Sequence, residues 1–188
     1  NTRLGDHLIY HFHPTIFDDH YNNKLSPNEI WNNNELLMNL IKSNALLHNH
    51  FNMNKIHQSF NLNSKVRFIS AGKSKMIINK YLSEYDKILN PYDKYSNIML
   101  GALSLNKEYI GISHDYKIYN ESLNMLIYMR NDFKDYVKKA KIIYKDNFNN
   151  IYYPCLFTSL YDNNCDKLID NILNNYTCKK YVFVVNNT

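Results

Sequence analysis

The stretch of sequence that decides the fold is ILNPYDKYSNIMLGAL, residues 88–103. It starts as a short apolar strand, passes through a polar loop at 90–96, and continues as a helix over 97–105, where apolar residues recur at helical spacing. The same alternation of strand and helix continues to residue 185. We predict strands at 87–89, 108–112, 140–144, 153–158 and 181–185, and further helices at 118–133 and 166–173.

Alternation of short apolar strands with helices predicts a parallel sheet covered on both faces, which is an α/β, Rossmann-like architecture. Ligands of such sheets bind beyond the carboxyl ends of the strands, at the point where the strand order reverses. We therefore expect the loops at this edge to hold any binding site. These loops are predicted at 90–96, 113–117, 146–149 and 158–164.

The first third of the chain has a different pattern. Ser26 followed by Pro27 is a typical helix start, and the apolar spacing that follows predicts a helix over 27–49. The change of pattern places a domain boundary near residue 65, so that a helical N-terminal region, 1–65, precedes an α/β domain, 66–188. The other predicted elements are a short strand at Leu8–His13, a weaker helix or a loop at 51–62 and a helix at 70–85.

Composition limits the classes of protein. The chain has 188 residues, a formal net charge of +5, 45% hydrophobic residues and only 4 glycines. These values are typical of a globular chain, and no apolar run approaches the roughly 18 residues of a membrane span. The mild positive charge allows a nucleic-acid partner without requiring one. Abundant Asn and Tyr are typical of an A/T-rich genome, and three cysteines without paired spacing indicate an intracellular, reducing compartment.

Three short patterns that resemble functional motifs have simpler explanations. Gly72-Lys73-Ser74 is similar to the end of a phosphate-binding loop, but the glycine that the signature requires five residues earlier is Arg67. Cys155 lies inside an apolar strand, where a small core residue is favoured over a nucleophile. A third group contains histidines and aspartates, for which we favour surface or packed side chains and expect no metal. Its members are His7, His11, His13, His20, Asp18 and Asp19.

Residues 88–103 resemble the first motif of the S-adenosylmethionine (SAM)-dependent amino-methyltransferases of DNA, in which a strand ends in Asp-Pro-Phe and a glycine-rich turn precedes the helix. Tyr109–Ile112 resembles the second strand of this family, and Leu156–Tyr161 resembles its catalytic motif. The resemblance covers about residues 66–188, and the order and spacing of the elements carry it. It implies a Rossmann-like methyltransferase sheet flanked by helices, as in the phage-type enzymes that methylate adenine or cytosine.

The resemblance implies roles for two sets of residues. In this family the loops after the first three strands hold SAM, and the catalytic motif holds the target base. The cofactor-binding positions are Asn90, Pro91, Tyr92, Asp93, Asp115 and Asp146. The catalytic positions are Ser159, which corresponds to the polar group that holds the target amino group, and Tyr161, which corresponds to the aromatic residue that stacks on the flipped base.

The departures from the family pattern are as informative as the matches. Lys94, Ser96 and Asn97 stand where the family has glycines that let the backbone approach the cofactor, and we expect their side chains to crowd its site. Asn90 stands where the motif has an acidic residue. The acid that would bind the ribose is displaced by two residues, to Asp115. The catalytic motif lacks both of its prolines.

Losses at both the cofactor and the target motifs favour a catalytically degenerate, methyltransferase-like domain that serves as a structural or interaction subunit in a nucleic-acid-handling or viral assembly. On this hypothesis SAM binding is lost and the chain is not an active enzyme. Two alternatives stay open. One is a divergent SAM-dependent DNA amino-methyltransferase, and the other is an unrelated α/β module whose Lys-bearing helix contacts phosphate.

The last strand that we predict is 181–185. A complete domain of this family normally has further strands after it. We expect either that the sequence is a piece of a longer product or that a protein partner, or the N-terminal region, completes the sheet. The reason is that an open apolar edge favours aggregation unless it is covered. We expect a location in the cytoplasm, the nucleus or a viral assembly, and no membrane partner.

Overall fold

The computed structural model describes residues 2–19, 25–48, 69–144, 151–160 and 165–185. The first part contains α1 (Thr2–Phe12), a short 3-10 helix (Pro14–Phe17), α2 (Pro27–Asn32) and α3 (Asn34–His48). The remaining elements, in chain order, are α4 (Ala71–Tyr81), β1 (Lys87–Asn90), α5 (Asn97–Leu103), β2 (Glu108–Ser113), α6 (Tyr116–Asp132), α7 (Lys134–Val137), β3 (Ala140–Tyr144), β4 (Ile151–Leu160), α8 (Cys165–Asn175) and β5 (Tyr176–Val185).

The strands of the described residues form a parallel sheet in the order β3-β2-β1-β4-β5. In the pairing of β1 with β2, Asn90 lies beside Gly111. In the pairing of β1 with β4, Leu89 lies beside Leu156. The strand order therefore reverses between β1 and β4, which is where ligands of such sheets bind. The predicted α/β, Rossmann-like sheet flanked by helices is confirmed.

The two faces of the sheet carry different helices. The chain crosses the sheet in one direction from β1 to β3 and in the other from β4 to β5, so right-handed crossovers place α5 and α6 on one face and α8 on the other. Leu89, Ile112 and Leu156 form a buried apolar cluster with Ile172 of α8. Because side chains alternate along a strand, Asn90 lies on the opposite face from Leu89.

The strand predicted at Leu8–His13 is wrong, because the helix α1 continues to Phe12 and His13 follows its last residue. Ile9 and His13 are buried and Gly5 is partly buried, at helical spacing along the inward side, whereas His7 is exposed. A segment of six residues is too short for its apolar pattern to distinguish a period of 3.6 from a period of 2. The helix predicted at 51–62 lies outside the described residues.

The helix predicted at 27–49 is two helices, because Asn33 has an extended backbone with φ −107° and ψ 104°. Asn33 ends α2, and its side-chain oxygen accepts hydrogen bonds of 3.1 Å from the backbone N–H groups of Glu35 and Leu36, which caps α3. The predicted helix start is confirmed. Ser26 accepts from the Glu29 N–H at 3.2 Å, and the Glu29 carboxylate accepts from the Ser26 N–H at 2.7 Å.

The described residues divide into two compact units. Helix α1 belongs with the elements from Ile69 onward, and the 3-10 helix, α2 and α3 form the other unit, in which Ile30 and Leu40 are buried. The domain boundary predicted near residue 65 stays a prediction, because residues 49–68 lie outside the described part of the chain. None of the helices described is long and apolar enough to cross a membrane.

Gly101 of α5 faces the backbone of α4 at close range. A Cβ at this position would lie 2.8 Å from both the backbone nitrogen of Lys75 and the Cβ of Ser74. We expect Gly101→Ala to lower the free energy of unfolding by about 1–3 kcal/mol, because the two helices must move apart. Asn79→Ala, on the exposed side of α4, is the control and should change it by less than about 0.5 kcal/mol. Urea denaturation measures both variants, and a Gly101→Ala chain as stable as wild type would contradict this packing.

Candidate functional site

Asn90, the last residue of β1, connects two strands and a loop through its side-chain amide. It is buried, and its nitrogen donates to the Tyr109 hydroxyl of β2 at 3.0 Å. Its oxygen accepts from the backbone N–H of Tyr92 at 3.3 Å. An amide supplies both a donor and an acceptor, whereas an ionised carboxylate only accepts. The replacement of the family's acid by Asn90 therefore suits the Tyr109 contact.

Asp93 turns inward above β2 and is only 3% exposed. Its Oδ1 accepts from the Ser96 backbone N–H at 3.0 Å, and its Oδ2 accepts from the Ser96 hydroxyl at 3.4 Å. The Asp93 backbone N–H donates to the carbonyl of Ile112 at 2.8 Å. Gly111 leaves the space for this carboxyl group, because a Cβ there would lie 2.7 Å from Asp93 Oδ2. In the sequence, the only sign that Gly111 makes room for another group is that it is a glycine inside a strand.

Two ionisable side chains, His13 and Tyr109, interact with Asp93, and Glu121 of α6 contacts His13 in turn. Burial raises the pKa of Asp93, and His13 and the hydrogen bonds from Ser96 and Tyr109 oppose this. Burial and the Asp93 charge raise the pKa of Tyr109 well above its usual range. His13 is fully buried with Nδ1 3.3 Å from Glu121 Oε2. Within the described residues neither ring nitrogen of His13 has a hydrogen-bond partner.

Ser96 has a left-handed backbone, with φ 55° and ψ 13°, directly before α5. Glycine is favoured in this conformation, which agrees with a glycine at this position in the family. The Ser96 side chain is fully buried, and its hydroxyl lies 2.9 Å from the Ser122 hydroxyl of α6. The Asn97 side chain donates to the Ile69 carbonyl at 2.7 Å. The side chains of Ser96 and Asn97 therefore stabilise the loop by hydrogen bonds inside the fold. The sequence analysis expected these side chains to crowd a cofactor site and did not predict the hydrogen bonds.

Tyr92 spans the crevice where the strand order reverses. Its ring stacks on His114, with centroids 4.6 Å apart and an interplanar angle of 29°. Its hydroxyl accepts a hydrogen bond of 3.0 Å from the side-chain nitrogen of Asn171 in α8. Nε2 of His114 lies 2.9 Å from the Pro91 carbonyl oxygen. Tyr92 therefore connects the β1–α5 loop to the loop after β2 and to α8.

Asp115, expected from the resemblance to hold a ribose, caps α6. Its Oδ1 accepts from the backbone N–H groups of Lys117 at 2.7 Å and Ile118 at 3.0 Å. The Ser113 hydroxyl donates to the Asp115 carbonyl at 3.1 Å. The Asp115 side chain is exposed just beyond the carboxyl end of β2. Its capping role is clear, and its ribose role stays a prediction.

Two hydroxyl residues lie near the carboxyl end of β4. Ser159, expected to contact the target base, is 6% exposed, and Thr158 is fully buried. The Thr158 hydroxyl has no hydrogen-bond partner among the residues that the structure describes. Leu156 and Leu160 belong to the apolar cluster that includes residues of α8. Thr158 lies between them on the same side of the strand, and Ser159 faces the other side.

The positions expected from the resemblance, where they are described, lie along one edge of the sheet. Asn90, Pro91, Tyr92 and Asp93 are consecutive, Asp115 follows β2, and Ser159 is close to the end of β4. Asp146 and Tyr161 lie outside the described residues. Three residues, one directly after α1 and two on α6, also contact this edge or one another, and no local motif indicated these contacts. They are His13, Glu121 and Ser122.

The histidines and the cysteine singled out in the sequence lie in different places where they are described. Among the described residues no group of three or more His, Cys, Asp or Glu side chains is placed to hold a metal ion. His7 and His11 are exposed on α1, and His20 lies outside the described residues. Cys155 is fully buried in β4, and burial raises the pKa of its thiol to about 12. This thiol is therefore protonated at neutral pH, as expected of a core residue.

The Gly72-Lys73-Ser74 segment lies at the start of α4. The Ser70 hydroxyl caps this helix by accepting from the Lys73 N–H at 3.1 Å. Asp6 of α1 accepts from the Ala71 N–H at 3.0 Å. A carboxylate of the chain itself therefore occupies the helix N-terminus, where an anion such as phosphate would otherwise bind.

No protein-family model matches this chain, and no curated protein matches it. A solved structure of the glycopeptide N-methyltransferase MtfA complexed with sinefungin is similar, with a TM-score of 0.47 and 8% identity over 60% of this chain and 48% of that one. The same enzyme complexed with (S)-adenosyl-L-methionine gives a TM-score of 0.39 and 10% identity over 47% of this chain and 36% of that one.

The match spans about half the length of that enzyme. A likeness with this TM-score carries no argument about the activity of this chain. The assignment of a Rossmann-like fold rests instead on the strand order, the parallel pairing and the placement of helices on both faces.

The raised pKa of Asp93 predicts a pH dependence of stability. A carboxyl group that keeps its proton longer in the folded state contributes stability below the unfolded pKa of about 3.9, and this contribution is lost as pH rises through the folded pKa. We expect the free energy of unfolding of wild type, minus that of Asp93→Asn, to decrease as pH rises from about 4 and then to level off. Urea denaturation across this pH range measures the difference. A difference that stays constant or increases would contradict the burial of an ionisable Asp93.

Proposed function

We propose that this chain is a catalytically degenerate, methyltransferase-like domain that serves as a structural or interaction subunit in a nucleic-acid-handling or viral assembly. The observation that carries the proposal is the internal hydrogen bonding of the loop after β1. In Rossmann-like folds this loop brings its backbone close to the ligand, and backbone N–H groups bind anionic ligand atoms. Glycines normally permit that approach.

In this chain the same N–H groups already have partners inside the fold. The Tyr92 N–H donates to the Asn90 side chain, the Asp93 N–H to Ile112 and the Ser96 N–H to the Asp93 carboxylate. A ligand would have to break these bonds, and leaving a buried polar group without a partner costs about 1–3 kcal/mol. This internal pairing supports the proposal that the loop does not fit SAM.

The exposed sheet edge supports an interaction role. β5 is the outermost strand on its side of the described sheet. Val182 and Val184 are only partly buried, and Val185 is 38% exposed. An apolar edge strand is a template for pairing with another chain unless something covers it. The net charge of +5 would favour an acidic partner or a nucleic acid at the surface of the assembly.

The alternative function is that of a divergent SAM-dependent DNA amino-methyltransferase. It is favoured by the position of the exposed Asp115 beyond β2 and of Ser159 near the end of β4, since both lie at the sheet edge where the resemblance requires them. On this alternative Asp115 and Asp146 hold the cofactor, and Ser159 and Tyr161 hold the target base. The backbone N–H groups of the β1–α5 loop must then give up their internal hydrogen-bond partners and bind the cofactor instead.

Calorimetric titration of the purified chain with SAM separates the two functions. We expect no binding heat at millimolar SAM. The backbone N–H groups of the β1–α5 loop already have hydrogen-bond partners inside the fold, and Ser96 has a side chain where a glycine would let the ligand approach. A radiolabelled-methyl assay on duplex DNA should show no transfer. Asp115→Ala and Asp146→Ala are the matched variants, and a circular dichroism spectrum confirms that each chain is folded.

Micromolar SAM binding by wild type would contradict the degenerate function. If that binding were lost in Asp146→Ala, and methyl transfer to DNA were lost in Ser159→Ala, the enzyme alternative would replace it. Asp115→Ala alone is less informative, because removing the cap of α6 also costs about 0.5–2 kcal/mol of stability.

A further inference from the structure

The C-terminal end of α1 packs into the sheet domain through a buried histidine. We propose that His13 is a pH-sensitive switch, which holds this end of α1 in place while its ring carries a proton and loosens it when the proton is lost. His13 directly follows α1, and it is the last residue of its compact unit before the chain enters the other unit. The proposal concerns the attachment of α1, so it is independent of whether the chain binds SAM.

The first observation is the environment of the His13 ring. The residue is fully buried, and neither ring nitrogen has a hydrogen-bond partner among the described residues. A neutral imidazole has one donor and one acceptor, and burying them without partners is unfavourable. Burial also opposes the charged ring, so a proton on His13 requires acidic neighbours.

The second observation is that two acidic side chains from different elements supply these neighbours. His13 Nδ1 lies 3.3 Å from Glu121 Oε2 of α6, which is ion-pair distance for a protonated ring, and the two side chains are 0% and 10% exposed. Charges attract more strongly at such buried positions than in water. Asp93 of the β1–α5 loop is also close, since the charge of His13 opposes the rise in the pKa of Asp93. A proton on His13 therefore places a positive charge beside both acidic groups.

The other side chains near His13 are aromatic or basic. The Tyr95 ring packs edge-on against the imidazole, with centroids 6.1 Å apart and an interplanar angle of 79°. Lys94 Nζ lies 5.1 Å from the centroid of the Tyr95 ring. Tyr109 of β2 is hydrogen-bonded to Asp93. Among these groups, only the two acids attract a proton on His13.

The third observation is the position of His13 on its helix. Its backbone N–H donates to the Ile9 carbonyl at 2.9 Å, so His13 closes the last turn of α1. The C-terminal end of a helix favours a positive charge. The other half of α1 has a separate attachment, because the Asp6 carboxylate accepts from the Ala71 N–H of α4 at 3.0 Å. We therefore expect a change at His13 to loosen the C-terminal end of α1 rather than to detach the whole helix.

The contacts of His13 also form a closed ring through three elements. His13 contacts Glu121, and the neighbouring residue of α6, Ser122, has its hydroxyl 2.9 Å from that of Ser96. Ser96 in turn donates to the Asp93 carboxylate, which interacts with His13. Loss of the proton from His13 removes a favourable charge from the α6 side and from the loop side of this ring at once.

The sign of the pH dependence follows from proton binding. In the closed state the His13 ring lies beside Glu121 and Asp93, whereas in the open state it is in water, where histidine loses its proton near pH 6.5. Closure therefore takes up a proton above about pH 6.5. The ratio of open to closed α1 should rise by up to about tenfold per pH unit over this range. Near pH 6 and below, His13 carries its proton in both states and its contribution stays constant.

The test is amide hydrogen exchange of the full chain between pH 6 and pH 9, corrected for intrinsic exchange rates. We expect opening of the C-terminal half of α1 to increase at least about tenfold across this range. Helix α8, on the other face of the sheet, is the internal reference and should change much less. His13→Gln cannot be protonated and should remove the increase. His7→Gln, at an exposed histidine of the same helix, is the matched control and should keep the wild-type profile.

Two further variants identify the group that titrates. Glu121→Gln keeps the shape of the side chain without its charge, so the increase should become smaller. Asp93→Asn is needed because a buried Asp93 also loses stabilisation as pH rises. The increase should persist in Asp93→Asn, since Glu121 still attracts the protonated ring. An increase that persists in His13→Gln and disappears in Asp93→Asn assigns the proton to Asp93 and overturns the proposal.

Nuclear magnetic resonance of wild type gives the same decision if His13→Gln does not fold. The ring signal of His13 and the amide signal of Ile9 should change with pH together, at one midpoint. The ring signal of His7 should change without the Ile9 amide. A His13 ring signal that stays constant between pH 6 and pH 9, or an opening of α1 that does not depend on pH, overturns the proposal.

Discussion

The carboxyl group of Asp93, buried above Gly111, is the interaction on which the carboxyl edge of the sheet depends. It accepts from the backbone and the hydroxyl of Ser96, and the backbone N–H of Asp93 is paired with Ile112. A carboxyl group in the interior is tolerated only when it is hydrogen-bonded or shifts its pKa, and here both occur. Its hydrogen bonds hold the β1–α5 loop inward, and His13, which interacts with Asp93, also lies 3.3 Å from Glu121 of α6.

This inward fold has a consequence for ligand binding. A loop whose N–H groups point outward can bind an anionic ligand, whereas a loop whose donors are paired internally is a structural connection. Tyr92 is the side chain of this loop that reaches out across the crevice, toward His114 and Asn171. The loop donors and the Tyr92 ring therefore both have partners inside the fold, at the edge where Rossmann-like sheets usually bind ligands.

Strand and helix periodicity predicted most of the sheet domain, because each strand is a short apolar run and each crossover helix has a helical stripe. It failed at Leu8–His13, where a short segment fits both periods, and it missed the break at Asn33, where a side-chain cap interrupts an otherwise continuous apolar pattern. For the site, spacing and resemblance placed residues 90–93 at the end of β1. They gave no indication that His13 interacts with Asp93 or that Glu121 contacts His13, since no local pattern connects those positions.

The sequence by itself determined the class of the fold and the edge at which a site would lie, because hydrophobic periodicity is local and the handedness of crossovers is general. The tertiary structure alone decided which way the side chains of that edge point. Asp93 could have faced a ligand or the core, and it faces the core because Gly111, from the neighbouring strand, leaves room for it. Burial, hydrogen-bond pairing and the crossing of the crevice by Tyr92 all depend on residues far apart in sequence, so only the packed chain could specify them.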